Sequence, residues 1–168
     1  DWRYIADVPF DFDRRRASVL AEKDGRRLLI VKGASEDVLS LSAQVESKDG
    51  VHPLDDRRRA AIEKLYHDKC AQGLRSIAVG WRALPATAKD VGVADEADLV
   101  FAGFCLFVDP PKETAAAAIK RLESAGIRVK IISGDAAPTV QHLVETLKIP
   151  VRGLLTGADI ANLGDTAL

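Results

Sequence analysis

Two short segments place groups that could bind a phosphate at the ends of apolar runs. Lys32 and Gly33 close the run RLLIVKG and precede a predicted helix. Ser133, Gly134 and Asp135 follow the run IRVKII. Glycine lets a ligand approach the backbone, a helix N-terminus favours an anion, and lysine adds a positive charge. Each segment is a candidate phosphate site, although lysine–glycine pairs also end many strands that bind nothing.

An aromatic and basic segment, PFDFDRRRASVL, lies near the start of the chain. Phe10 could stack on a purine while an arginine holds a polyphosphate. The alternative is a pair of core phenylalanines beside a solvated basic run, and the segment by itself favours that alternative. Arg75 follows a predicted helix, where its simplest role is to interact with the free carbonyl groups of the helix C-terminus.

Other kinds of site are not indicated by the sequence. The 24 basic and 25 acidic residues nearly balance, which gives no support to nucleic-acid binding. The three histidines share no metal-ligand spacing, so we expect no metal site. Cys70 and Cys105 are too few for a disulfide scaffold, which favours a reducing cytosol. No apolar run reaches the roughly 18 to 20 residues that span a bilayer, and Asp1 stands where methionine would begin a whole protein, so we expect a soluble piece of a longer chain.

The elements that must position these groups fall into two parts, and residues 1–102 have the pattern of an α+β unit. Asp24-Gly25 predicts a hairpin, and a second, weaker hairpin follows that Pro53 confines to a sheet edge. Ser35 is a predicted N-cap of a short helix. The remaining predictions are a helix over 55–73, a strand over 74–84 and a loop over 85–98.

From about residue 99 the pattern becomes that of a parallel sheet. LVFAGFCLFV is nearly all apolar, as in a strand covered on both faces, and a strong helix ending at Gly126 follows it. With IRVKII as the next strand, the spacing predicts a right-handed βαβ crossover. Ligands of such sheets lie beyond the carboxyl ends of the strands, which is where Ser133 and its neighbours would be.

The order of these motifs resembles that of one known family. PFDFDRRRASV, KGASE, QGLRSIAV, DPPKET and IISGD succeed one another as in the cytoplasmic part of P-type cation-transporting ATPases, from about Val8 to Ile160. With HPLDD, the motifs are most similar to those of the bacterial magnesium-transporting branch. Ser35 and Ser133 stand where the family usually has proline and threonine, and Ala17 replaces a commonly larger apolar residue.

The resemblance implies a fold and a set of residue roles. Residues 1–102 would be the nucleotide-binding domain, an antiparallel sheet with flanking helices that lacks its N-terminal part. Residues 103–168 would be part of the phosphorylation domain, an α/β haloacid-dehalogenase-like (Rossmannoid) fold. In the first domain, Phe10 would stack on adenine and Gly33 would permit close approach, while the cations at the nucleotide would be Arg15, Lys32 and Arg75.

In the second domain the resemblance implies supporting roles in phosphoryl transfer. Asp109 would help to organise the phosphorylation site, Ser133 would hydrogen-bond the transferred phosphoryl group, and Gly134 and Asp135 would shape the loop. The family's Asp-Lys-Thr-Gly-Thr segment is absent, and with it the aspartate that is phosphorylated. We therefore expect the chain to bind ATP without hydrolysing it, with Mg²⁺ acting only in the intact enzyme.

The implied partners are ATP and the rest of the pump, meaning its phosphorylation, actuator and transmembrane domains, in a bacterial inner or plasma membrane. An incomplete sheet in residues 103–168 exposes edges and apolar faces, so we expect this part to dimerise or to be partly disordered. Two alternatives stay open, a non-catalytic interaction domain and a fragment of a haloacid-dehalogenase-type phosphatase. Asp11-Phe12-Asp13 has the spacing of that phosphatase motif but lacks the apolar strand that should precede it.

Overall fold

The computed structural model describes residues 1–163, which cluster into two compact units. The first unit contains residues 1–66 and 76–107, and the second contains residues 67–75 together with the chain from 108 onward. The assignment of residues 1–102 and 103–168 to two functional domains stays a prediction. None of the helices in the described part of the chain combines the length and apolar character needed to cross a bilayer.

Seven strands of the described residues form one mixed sheet in the order β1-β2-β3-β6-β7-β4-β5. Strands β1 to β3 and β6 are antiparallel neighbours, whereas β4 and β7 pair in parallel, so the sheet is mixed where an antiparallel sheet was expected. The strands are β1 (Arg3–Asp11), β2 (Arg16–Lys23), β3 (Arg26–Gly33), β4 (Ser42–Ser47), β5 (Gly50–Pro53), β6 (Leu74–Leu84) and β7 (Leu99–Val108).

Both predicted hairpins are confirmed. β2 and β3 are antiparallel, and Lys23 pairs with Arg26 next to the turn. In that turn Asp24 and Gly25 have φ of 51° and 75°. Positive φ at both central positions is what a type I′ turn requires, and its twist matches that of the strands. β4 and β5 form the second hairpin, and Pro53 ends the strand at the sheet edge, where a missing backbone donor costs no ladder bond.

Helices α1 (Ser35–Ser40) and α2 (Asp56–Ala71) follow β3 and β5. The expected cap at Ser35 is wrong, because Ala34 takes the N-cap position and Ser35 Oγ lies 2.8 Å from Ser76 Oγ. The core of the first unit lies between α1 and one face of the sheet, and its buried members are Leu29, Val31, Val38, Leu39, Ala78, Leu99 and Phe101.

The second unit contains the predicted helix before Gly126 but not the predicted second strand. Its helices are α3 (Ala115–Ser124), α4 (Ala137–Thr146) and α5 (Gly157–Ala161). Residues 127–132, expected as a strand, pair with no strand within residues 1–163. β7 is also buried only over its first residues and joins the sheet of the first unit, so the expected βαβ crossover is not formed. The haloacid-dehalogenase-like fold stays a prediction.

Candidate functional site

The register of β1, β2 and β3 brings four predicted site residues to one end of the sheet in the first unit. Asp11, next to Phe10, pairs with Arg16, next to Arg15, and Arg16 in turn pairs with Gly33. Neighbouring strands lie about 5 Å apart, so these positions occupy three adjacent strand ends. They are Phe10, Arg15, Lys32 and Gly33.

Phe10 is an exposed aromatic ring rather than a core residue. It is 56% exposed, and its ring meets that of Phe12 edge to face with centroids 5.3 Å apart. An exposed aromatic ring can stack on a planar ligand. The alternative that a core phenylalanine pair stands here is therefore wrong.

The three consecutive arginines point to different partners. Arg14 and Arg16 both donate to the buried carboxylate of Glu96. Arg15 donates instead through two nitrogens to Asp37, at 2.9 and 2.8 Å, and its side chain remains half exposed. The Asp37 carboxylate, by accepting these hydrogen bonds, raises the pKa of the Arg15 guanidinium, which stays charged at any ordinary pH. The solvated basic run suggested by the sequence is thus mostly an internal ion-pair cluster.

Lys32 lies on the face of the sheet that is turned away from the core. It is exposed and makes no hydrogen bond or ion pair with any residue that the structure describes. The register places it beside Ala17 and Val79, and the same face carries Val19, Ile30 and Ile77, each more than a third exposed. A single cation among exposed apolar side chains is suited to a ligand with a flat apolar part and a negative part.

Gly33 has a structural reason to be glycine. A Cβ at this position would lie 2.5 Å from both the carbonyl oxygen of Arg15 and the Cβ of Arg16. The amide of Ala34 also donates to the Arg15 carbonyl at 3.0 Å, so β3 and the turn before β2 touch here. The close approach that Gly33 permits in the structure is that of the protein's own backbone; approach of a nucleotide stays a prediction.

The second unit groups the remaining predicted site residues. Arg75 Nε lies 3.0 Å from Asp135 Oδ1, and Arg75 Nη1 donates to Asp109 Oδ2 at 3.3 Å. The Asp135 amide donates to Ser133 Oγ at 3.0 Å, which closes the loop around Gly134. Arg75 therefore bridges two carboxylates rather than capping helix carbonyl groups, and it ties the Asp-Pro-Pro and Ser-Gly-Asp segments together.

Gly134 differs from Gly33 in having no visible structural need for glycine. Its φ is not positive, and no described atom lies within 4 Å of where a Cβ would be. Among residues 1–163, no group of three or more His, Cys, Asp or Glu side chains is placed to hold a metal ion.

Sequence reasoning missed Glu96 and Asp37. Glu96 lies in the segment 85–98 that was predicted as a polar loop, yet it is 1% exposed. The only feature of the sequence that could have indicated this burial is the position of an acidic residue shortly before a buried strand. Asp37 stands on α1, three residues beyond the N-cap, where an acidic residue has an ordinary role beside the helix N-terminus.

Comparison with known proteins identifies the family. Magnesium-transporting ATPase, P-type 1, of Escherichia coli strain K12 is 39% identical over 168 residues, covering 99% of this chain and 19% of that protein. The protein of the same name from Salmonella typhimurium strain LT2 is 38% identical over the same shares of the two chains. Calcium-transporting ATPase lmo0841 of Listeria monocytogenes is 28% identical over 94% of this chain and 17% of that protein. The chain thus spans about a fifth of the length of the magnesium-transporting relatives. A family model described as P-type ATPase, cytoplasmic domain N, matches residues 1–114, so the chain belongs to the P-type ATPases.

Proposed function

We propose that the chain binds ATP at the ends of β1 to β3 in its first unit, as the nucleotide-binding part of a cation-transporting P-type ATPase. The observation that carries the proposal is the combination of an exposed Phe10 ring with an exposed Lys32 beside an exposed apolar sheet face; Lys32 has no ion-pair partner among residues 1–163. Phe10 would stack on the adenine, with Val19 and Ile30 offering apolar contact. Lys32 and Arg15 would supply the positive charge that a polyphosphate needs.

The second unit would contribute to handling the phosphoryl group in the longer protein. The exposed Ser133 hydroxyl and the open space at Gly134 suit the approach of a phosphate. Arg75 would hold Asp109 and Asp135 in place. The chain contains no Asp-Lys-Thr-Gly-Thr segment, so ATP would be bound and not hydrolysed. Among the described residues no group of three or more His, Cys, Asp or Glu side chains is placed to hold a metal ion, and no step of the proposal depends on Mg²⁺.

The transported ion is proposed from the relatives. Those with 38 and 39% identity are named as magnesium-transporting, whereas those named as calcium-transporting reach 28 to 32%. We therefore propose that the chain serves a bacterial magnesium pump, on the cytoplasmic side of its membrane and in company with the pump's other domains.

The test is to titrate the chain with ATP and to measure binding by calorimetry and by the shifts of amide NMR signals. Phe10→Ala should weaken binding by roughly 5- to 150-fold, because a stacked ring contributes about 1 to 3 kcal/mol. Phe107→Ala is the matched control, since Phe107 is a similarly exposed phenylalanine on β7. Lys32→Met should also weaken binding, and Lys23→Met, which removes an exposed lysine at the other end of the sheet, should not.

Two results would contradict the proposal. One is an unaltered spectrum at millimolar ATP, which would favour a non-catalytic interaction domain instead. The other is an equal loss of affinity in Phe10→Ala and Phe107→Ala, which would place the nucleotide elsewhere or make the loss a general effect on folding.

A further inference from the structure

Glu96 carries a buried negative charge that the proposed function does not use. Its side chain has no exposed surface. One oxygen accepts from Arg14 Nη1 at 2.9 Å and from Arg16 Nε at 2.7 Å, and the other accepts from Ser18 Oγ at 2.9 Å. We call Glu96, Arg14, Arg16 and Ser18 the Glu96 cluster.

The Glu96 cluster joins two distant parts of the chain. Its three donors lie in or directly before β2, whereas Glu96 follows the short 3₁₀ helix Val93–Asp95 and precedes β7. Burial of a carboxylate is strongly unfavourable unless charge partners and hydrogen bonds surround it. The arrangement of the donors is therefore tightly constrained, because a displaced guanidinium would leave Glu96 buried without its partner.

The Glu96 cluster contacts the chain next to Phe10 and includes the residues on both sides of Arg15. Arg14 donates through Nη2 to the carbonyl oxygen of Pro9 at 2.8 Å, one residue before Phe10. Arg14 and Arg16 flank Arg15, whose backbone φ is 50°. Residues other than glycine, asparagine and aspartate seldom adopt this positive φ. With both neighbours held by Glu96, Arg15 is the arginine left to face Asp37 and solvent.

We infer that Glu96 is a positioning residue for the nucleotide, acting through Arg14 and Arg16 on the placement of Phe10 and Arg15. This inference rests on the proposed function, because it assigns Glu96 a part in binding ATP at that same site. Glu96 itself contacts no ligand. Its effect is to preorganise the turn between β1 and β2, so that the entropy of ordering this turn is lost on folding rather than on binding.

The test compares ATP affinity and turn protection in variants of this chain. Glu96→Gln keeps the shape but removes the charge, and should weaken ATP binding about 10-fold, since a charge-assisted hydrogen bond is lost from the turn. Amide exchange at Arg14, Arg15 and Arg16 should rise in the same variant without ATP. Glu96→Asp, which keeps the charge at shorter reach, should restore part of both properties. Phe101→Leu is the control, since it alters the core and leaves the Glu96 cluster intact; its affinity should stay within about 2-fold of the parent chain.

A double-variant cycle separates positioning from general loss of structure. In a Phe10→Ala background, Glu96→Gln should weaken ATP binding by less than about 3-fold, because the ring that it positions is already gone. If Glu96→Gln fails to fold, Glu96→Asp and Arg14→Lys replace it in the same measurements of ATP affinity and amide exchange. Full affinity in these variants, unchanged exchange at the turn, or strictly additive effects with Phe10→Ala would each overturn the positioning role alone. Absence of ATP binding by the unaltered chain would overturn the proposed function, and the positioning role with it.

Discussion

At the scale of single residues, neighbours of identical type have different environments. Arg14 and Arg16 neutralise a buried carboxylate, and Arg15 pairs at the surface with Asp37. The two glycines of the candidate motifs differ in the same way. Gly33 is needed because backbone approaches it, whereas Gly134 faces open space. Motif membership alone does not separate these roles, and the surroundings do.

The glycines supply the first prediction. Gly33→Ala should lower the free energy of unfolding by about 1 to 3 kcal/mol, because its Cβ would overlap with Arg15 and Arg16. Gly134→Ala should change it by less than about 0.5 kcal/mol, because nothing occupies the space. Equilibrium urea unfolding of both variants measures the difference. Equal losses would contradict the structural reason given for Gly33.

The ion pair of Arg15 supplies the second prediction. Asp37→Asn frees Arg15 from an exposed pair of the kind worth about 0.2 to 1 kcal/mol. ATP affinity should therefore rise by up to roughly 5-fold at low ionic strength, and the gain should shrink as salt screens the charges. Calorimetric titration at two salt concentrations is the measurement. A weaker affinity in Asp37→Asn would show that Asp37 helps the nucleotide site rather than competing for Arg15.

At the scale of elements, local signals predict where helices and hairpins begin and end. Asp55 accepts from the Arg58 amide at 2.8 Å, as an N-cap of α2 should, and Gly73 with φ of 78° follows the helix. Pro138 lies in the first turn of α4. Each of these features depends on a few consecutive residues.

The cap of α2 supplies a pH prediction. The hydrogen bond from the Arg58 amide, aided by the charge of Arg58, lowers the pKa of Asp55 below its ordinary value of 3.8. A carboxyl group with a lowered folded pKa stabilises the fold above its unfolded pKa, and this stabilisation is lost as the pH falls through the folded pKa. The stability difference between the parent chain and Asp55→Ala should thus be full near neutral pH and shrink below pH 3.8. A difference that stays constant throughout acid titration would contradict the cap.

The missing strand supplies the fourth prediction. Residues 127–132 have a buried-strand pattern but pair with no strand in the described part of the chain, and Ile132 is 96% exposed. Their amides should exchange with solvent orders of magnitude faster than those of β3, which has a hydrogen-bonded neighbour on each side. Hydrogen exchange followed by mass spectrometry or NMR measures both. Slow exchange at residues 127–132 would show that they find a partner in solution.

At the scale of the whole molecule, the exposed apolar side chains of the second unit lead us to predict self-association. Val108, Ile132 and Leu155 are each at least 60% exposed, and apolar surface of this extent invites pairing between chains. We expect the chain to shift from monomer toward dimer as its concentration rises. Light scattering after size-exclusion chromatography measures the shift.

One substitution tests the source of that association. Ile132→Lys should displace the equilibrium toward monomer, because a charge at this exposed apolar position must be desolvated on pairing. Leu65→Lys makes the same chemical change at a half-exposed residue of α2 in the first unit, and should leave the equilibrium unaltered. A concentration-independent monomer for the parent chain would contradict the expectation.

The sequence alone determined the turns, the helix ends and the chemical types in the motifs. Asp24-Gly25, Gly73 and Pro138 act through their own backbone preferences, which need no distant partner. The same locality let the order of the motifs predict the family, which the comparisons confirm.

Only the tertiary structure decided how those pieces are used. It placed β7 in the sheet of the first unit, directed Ser35 to Ser76 instead of a cap, and joined Glu96 to arginines some 80 residues away. Each outcome depends on burial and pairing between distant segments, where the cost of an unpaired strand or charge selects the partner. No window of consecutive residues contains that information.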